Sequence, residues 1–147
     1  MKFLMNLVVS MTSIAILGMS DLAMAAEKFD YKKVVAPPIK AMGKPKLWKG
    51  VGDLQILVSS DNRAAEDHVK QGFALLHAQW DVEAYRHFVA ALEADNDCLL
   101  AYCGVVLSML NPEHEWKSYR NVALNRMITL CEHQQMLGNG GEPGAGM

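Results

Sequence analysis

Between Ser59 and Met136 the apolar residues recur at helical spacing in four blocks, separated only by short polar breaks. In the first block Val69, Gly72, Phe73 and Leu76 follow the i, i+3, i+4, i+7 pattern that lays side chains along one helix face. Ser59-Ser60-Asp61-Asn62 precedes it, and such short polar side chains accept from the free amides of a first helical turn. The spacing predicts a helix from there to about Ala78. Asp81 reads as the cap of a second helix over 82–94, with Ala84, Phe88, Ala91 and Leu92 on its buried stripe and Tyr85 beside them. Asp95-Asn96-Asp97 ends it and opens a third helix over 98–109, apolar nearly all round and therefore expected to be the most buried element. Asn111-Pro112 stops that helix, and a fourth follows over 113–136, with Trp116, Tyr119, Ala123, Met127 and Leu130 at helical spacing. Breaks this short make successive helices fold back on one another. The expected fold is all-α, two antiparallel helical hairpins over 61–137.

The residues before Ser59 read differently. Lys2, the apolar run from Phe3 to Leu17 and the small-x-small run Ala23-Met24-Ala25 predict an export signal over 1–25, and hence a periplasmic or secreted protein. Asn6, Ser10, Thr12 and Ser13 interrupt the run, which suits a membrane span poorly; an uncleaved signal segment is the one route to membrane attachment. Over 26–60, Pro37-Pro38, Gly43, Pro45, Gly50 and Gly52 predict an extended, irregular arm without helix, in which Leu54 to Val58 is at most a short strand. Seven lysines stand against three acids between Glu27 and Asp53, whereas six basic residues stand against twelve acidic ones afterwards. A basic arm resting on its own acidic helical body is expected, not nucleic-acid binding. The glycine-rich residues 138–147 predict a flexible tail. Cys98, Cys103 and Cys131 fit either one disulfide with a free thiol or three reduced thiols acting as small apolar residues; their apolar surroundings favour the second.

Within the helical region the spacing of small and large residues resembles the tetratricopeptide repeat, a 34-residue helix-turn-helix unit. With Gly72 at the small position of the first helix, Leu75 falls on its large apolar position. Ala84 falls on the small crossing position of the second helix, and Phe88 and Ala91 on the next two signature positions. Asp95-Asn96-Asp97-Cys98 and Ala101-Tyr102-Cys103-Gly104 follow the phrase that joins repeats in exported bacterial proteins of this kind. The resemblance covers about half of the chain, and a second unit keeps Tyr102 and Val105. In the first unit three residues depart from the pattern, His68 and Gln71 standing where an aromatic and a leucine are usual and Asn96 where proline is usual; in the second, Val106 replaces the small residue. Two hairpins are few for such an array. The arm capping its open face, self-association, or truncation of a longer protein would each compensate, and capping is the preferred reading.

The resemblance implies a non-catalytic scaffold for a protein or peptide partner, with Glu66, Val69, Phe73, Leu76 and His77 facing the concave surface. The competing reading makes that stripe core, covered by Leu54 to Val58. A second function class is an accessory domain of a larger envelope assembly, and a third is a metal or small-molecule binder using His77 and the stripe. No cofactor is expected. Metal-binding histidines on one helix stand three or four apart, whereas His68 and His77 are nine apart and His114 and His133 nineteen. There is no haem-attachment motif, phosphate-cradling glycine loop or nucleophile elbow, and no enzyme activity is expected.

Overall fold

The computed structural model describes residues 28–51, 54–110 and 114–139. The expected export signal and residues 140–147 of the tail lie outside the described residues. Those described are all-helical and include no strand. A 3-10 turn, Tyr31–Val34, leads into a short helix α1 (Pro37–Met42); the main helices are α2 (Arg63–His77), α3 (Asp81–Ala94), α4 (Leu99–Ser108) and α5 (Lys117–Asn139). A second 3-10 turn, His114–Trp116, precedes α5. No helix among the described residues is long and apolar enough to cross a membrane.

The start of α2 follows from one side chain. Asn62 accepts from the amides of Ala64 and Ala65 at 3.0 and 3.4 Å, and donates through Nδ2 to the carbonyl of Ala94 at 2.9 Å. The hydroxyl of Ser60 donates to Asp95 at 2.6 Å, so the cap of α2 is also tied to the end of α3. At the other end of α2 the amides of Gln79 and Trp80 donate to Leu76 and Leu75. This closing motif places Gln79 in the left-handed region, φ 60°, where glycine is the usual occupant. Asp81 is not a cap: α3 begins at that residue, and Trp80 before it makes no side-chain cap bond. Asp81 and Glu83 instead place negative charge in the first turn, where the helix dipole favours it.

Phe88 of α3 sits at the centre of the core with no exposed surface, its ring lying between Gly72 of α2 and Gly104 of α4. A Cβ added at Gly72 would come within 2.6 Å of that ring, and one at Gly104 would collide with it more closely still. Hydrogen in place of a side chain is what lets three helices close around one phenyl ring. Phe73 completes the enclosure edge-on, with ring centroids 5.0 Å apart.

Three expectations are corrected. The most buried helix is α3, with Ala84, Tyr85, His87, Phe88, Ala90, Ala91 and Leu92 buried, rather than α4. Composition alone ranks α4 first, but α3 is covered by α2, α4 and the N-terminal segment together. The arm does contain helix. Pro37 occupies the first turn of α1 behind Ala36, a position where the missing proline N–H would have had no helical partner anyway. Leu54 to Val58 runs extended without pairing, Leu54, Ile56 and Val58 half-buried and Gln55 and Leu57 exposed. At the far end α5 continues through Gly138 to Asn139, two residues into the segment expected to be tail.

Candidate functional site

The N-terminal segment is held mainly by apolar packing and by side chains binding its backbone, rather than by its lysines. Val34, Ala36 and Ile39 are core residues. The Tyr85 hydroxyl accepts from the Ala36 amide at 3.1 Å and donates to the Val34 carbonyl. Burial pushes that phenol up to about 12. Asn96 accepts from the Tyr31 amide at 3.1 Å and donates to the Phe29 carbonyl at 2.7 Å. Gln71 binds Trp48 in the same two-ended way, Oε1 to its amide and Nε2 to its carbonyl, both at 2.8 Å. Arg86 donates to the Met42 and Gly43 carbonyls at 3.1 Å each while its other terminal nitrogen meets Glu83 at 2.6 Å. Lys44 forms the one ion pair, among the described residues, between this segment and the main helices: 3.0 Å to Glu93 of α3.

Gln71 and Asn96 are two of the three polar residues at which the first unit departs from the pattern it resembles, and both grip the N-terminal segment. The third, His68, has a partner that spacing along one helix could not reveal. Its Nδ1 lies 3.0 Å from Nδ1 of His87 on α3, with His87 fully buried and His68 6% exposed. The ring centroids are 5.1 Å apart, only slightly less than the nitrogen separation plus two ring radii, so the δ nitrogens meet nearly head-on. One must carry a hydrogen and the other a lone pair. His87 Nε2 is buried without a partner. Both rings are held below the ordinary histidine range: His87 to about 4, by burial, then His68, then Arg86; His68 by burial, then Lys44.

Between this segment and α3 lies an open cleft of about 590 Å³, within the size range of small-ligand and peptide pockets. Val35, Ile39, Val89, Ala90 and Tyr119 give it an apolar lining. Lys32, Lys40, Lys44 and Arg86 stand around it against the single acid Glu93. Lys44 and Arg86 are engaged as described, whereas Lys32 and Lys40 are exposed and have no ion-pair partner among the described residues. Sequence reasoning missed the cleft because its walls come from segments about fifty residues apart in the chain.

The residues expected to face a concave surface differ widely in exposure. Val69 is fully buried in the core, Phe73 and Leu76 are half-buried against it, Glu66 is half-exposed, and His77 is exposed at the end of α2. Glu66 pairs with Lys70 at 2.6 Å, and that hydrogen bond lowers its carboxyl pKa. Val69, Phe73 and Leu76 thus lie in or against the core, beside the residues that enclose Phe88. Gly72, Leu75, Ala84, Phe88, Ala91 and Tyr102 are all buried. The three cysteines are unbridged; burial pushes the thiols of Cys98 and Cys103 up, which keeps them protonated and weakly nucleophilic. No group of three or more His, Cys, Asp or Glu side chains that could hold a metal ion occurs among the described residues. Compared with protein-family models, curated proteins and solved structures, the chain matches none.

Proposed function

We propose that this chain is an exported, non-catalytic scaffold of tetratricopeptide-like hairpins, with its N-terminal arm packed on them, that holds a protein or peptide partner. The observation that carries the reading is the cleft between residues 31–45 and α3, apolar inside and basic at its edge. Such a surface suits an extended peptide that buries one or two apolar side chains and brings a carboxylate to the rim. Apolar burial supplies affinity, and the lysines bias the choice of partner toward acidic sequences. The partner surface is therefore assigned to this cleft, and the stripe on α2 is assigned to the core.

A second reading, an accessory domain within a larger envelope assembly, draws support from Leu57, Leu110 and Ile128, which are 90%, 62% and 46% exposed. Such residues are ordinary one by one, but in an assembly they would be contact points. Selection of random peptides on the full chain separates the two. The scaffold reading expects enrichment of peptides that combine acidic and apolar residues, and a loss of affinity of roughly tenfold in the Lys32→Glu/Lys40→Glu variant. Peptides that bind wild type and variant equally, or no enrichment at all, would move the assignment to the accessory reading. Fractionation of cells carrying a C-terminally tagged chain tests export; a tag confined to the cytoplasm would refute it.

A further inference from the structure

We infer that the His68–His87 pair is an acid-released latch for the strap Gly43–Trp48, which crosses the seam between α2 and α3. The strap is fastened on both sides of the pair. On α2, Gln71 stands one turn beyond His68 and binds the Trp48 backbone through both ends of its amide. On α3, Arg86 is adjacent to His87 and holds the Met42 and Gly43 carbonyls. Between these anchors Pro45 is buried, and Lys44 is close enough to act electrostatically on His68. The far end of the strap carries Trp48, edge-on to Trp80 at 5.6 Å between ring centroids.

The proton count sets how the latch works. Two neutral imidazoles share one hydrogen between their δ nitrogens, and both remain buried. With His68 as the donor, its Nε2 is free to accept the first added proton, and the bridge survives as imidazolium to imidazole. The second proton has only the bridging nitrogen of His87 to go to. Both δ nitrogens then carry hydrogens aimed at each other, and two positive rings face each other in the seam. The surrounding charges do not neutralise that state. Lys44 on the strap and Arg86 on α3 add positive charge, while Asp67 on α2 and Glu93 on α3 oppose it, and Glu93 is already paired with Lys44. His87 Nε2 is buried with no partner to share added charge. Relief comes from turning the rings toward water, and the strap, anchored on α2 and α3 beside the pair, is the element such a turn would displace. Gly43, Lys44 and Pro45 also line the cleft, so release would dismantle one of its walls; that consequence alone rests on the binding reading.

The two tryptophans give the latch a built-in reporter. The exciton circular-dichroism signal of Trp48 and Trp80 is followed in the full chain from neutral pH to acid, beside the far-ultraviolet helical signal, with Trp80→Phe identifying the exciton band. The latch predicts that the exciton signal is lost before the helices melt. In His87→Asn, whose amide can still accept from His68 but does not titrate, that loss moves about one pH unit or more toward acid. Simultaneous loss of both signals, or an unmoved transition in His87→Asn, overturns the proposal. If the variant does not fold, histidine nitrogen shifts measured in the wild-type chain decide. Two rings titrating independently in the ordinary histidine range would contradict a buried pair, and two coupled steps displaced to acid would support it.

Discussion

His87 and Phe88 are neighbours on α3, and neither exposes any surface, yet they fasten different parts of the molecule by different physics. Phe88 closes α2, α3 and α4 around a ring seated between two glycines, an apolar contact set by shape and independent of pH. His87 shares a proton with His68 across the seam between α2 and α3, and the strap beside that pair is held by an arginine and the two ends of a glutamine side chain. The contrast teaches that one helix can carry a permanent joint on one side and a conditional one on the next. Polar fastening costs more to bury, and its strength follows solution conditions.

The largest effects should come from breaking the permanent joint. Gly104→Ala would ordinarily gain roughly 0.5–1 kcal/mol of helix propensity. Here the new methyl meets the Phe88 ring, so a net loss of about 2 kcal/mol is expected in chemical denaturation. Most of that loss should vanish in a Phe88→Leu background, a coupling that a double-mutant cycle measures directly. Gly72→Leu, which inserts several more atoms at the same ring, is expected to abolish cooperative folding. An equally stable folded variant would refute the close approach.

A conditional effect belongs to the other joint. Burial lowers the His87 pKa to about 4 in the folded chain against about 6.5 when unfolded, so the unfolded chain binds more protons between those values. This contribution to stability is complete above the unfolded value and declines as pH falls through the window, by about 3 kcal/mol for that group at most. Denaturant melts at neutral pH and in mild acid should show the decline in wild type and a flatter profile in His87→Asn. Gly104→Ala, by contrast, should lower stability equally at both pH values.

Much of the helical body was legible in the sequence. Clear 3.6-residue periodicity gave α2 and α3, and the polar breaks around an apolar run gave α4, each to within two residues at each end; the buried stripe of α3 was the one expected. Asn62 lies within the cap motif that marked the start of α2. The failures have particular causes. Pro37 was read as a helix breaker although proline suits a first turn. Asp81 matches a capping residue by type, but the left-handed Gln79 redirects the chain so that Trp80 takes the cap position. The histidine pair joins residues nineteen apart on different helices, which no single-helix spacing rule tests. The readable hint lay in departures from the pattern the sequence resembles: His68, Gln71 and Asn96 are polar where that pattern has an aromatic, a leucine and a proline. Two of them hold the N-terminal segment, and the third meets His87.

The smallest predicted effect sharpens the same comparison from the N-terminal side. Asn96→Ala removes both hydrogen bonds to Tyr31 and Phe29 and should cost about 1–2 kcal/mol. Because the Phe88 joint is untouched, helical content should stay unchanged while the amide of Tyr31 exchanges faster.

The most direct test compares the two joints within one sample. Amide hydrogen exchange, corrected for the intrinsic effect of pH, is measured at neutral pH and in mild acid for Trp48, whose N–H is held by Gln71, and for residues of α3 around Phe88. The account predicts that protection at Trp48 falls in acid while protection around Phe88 persists. If the two fall together, or if Trp48 keeps its protection, the distinction between a permanent and a conditional joint is wrong.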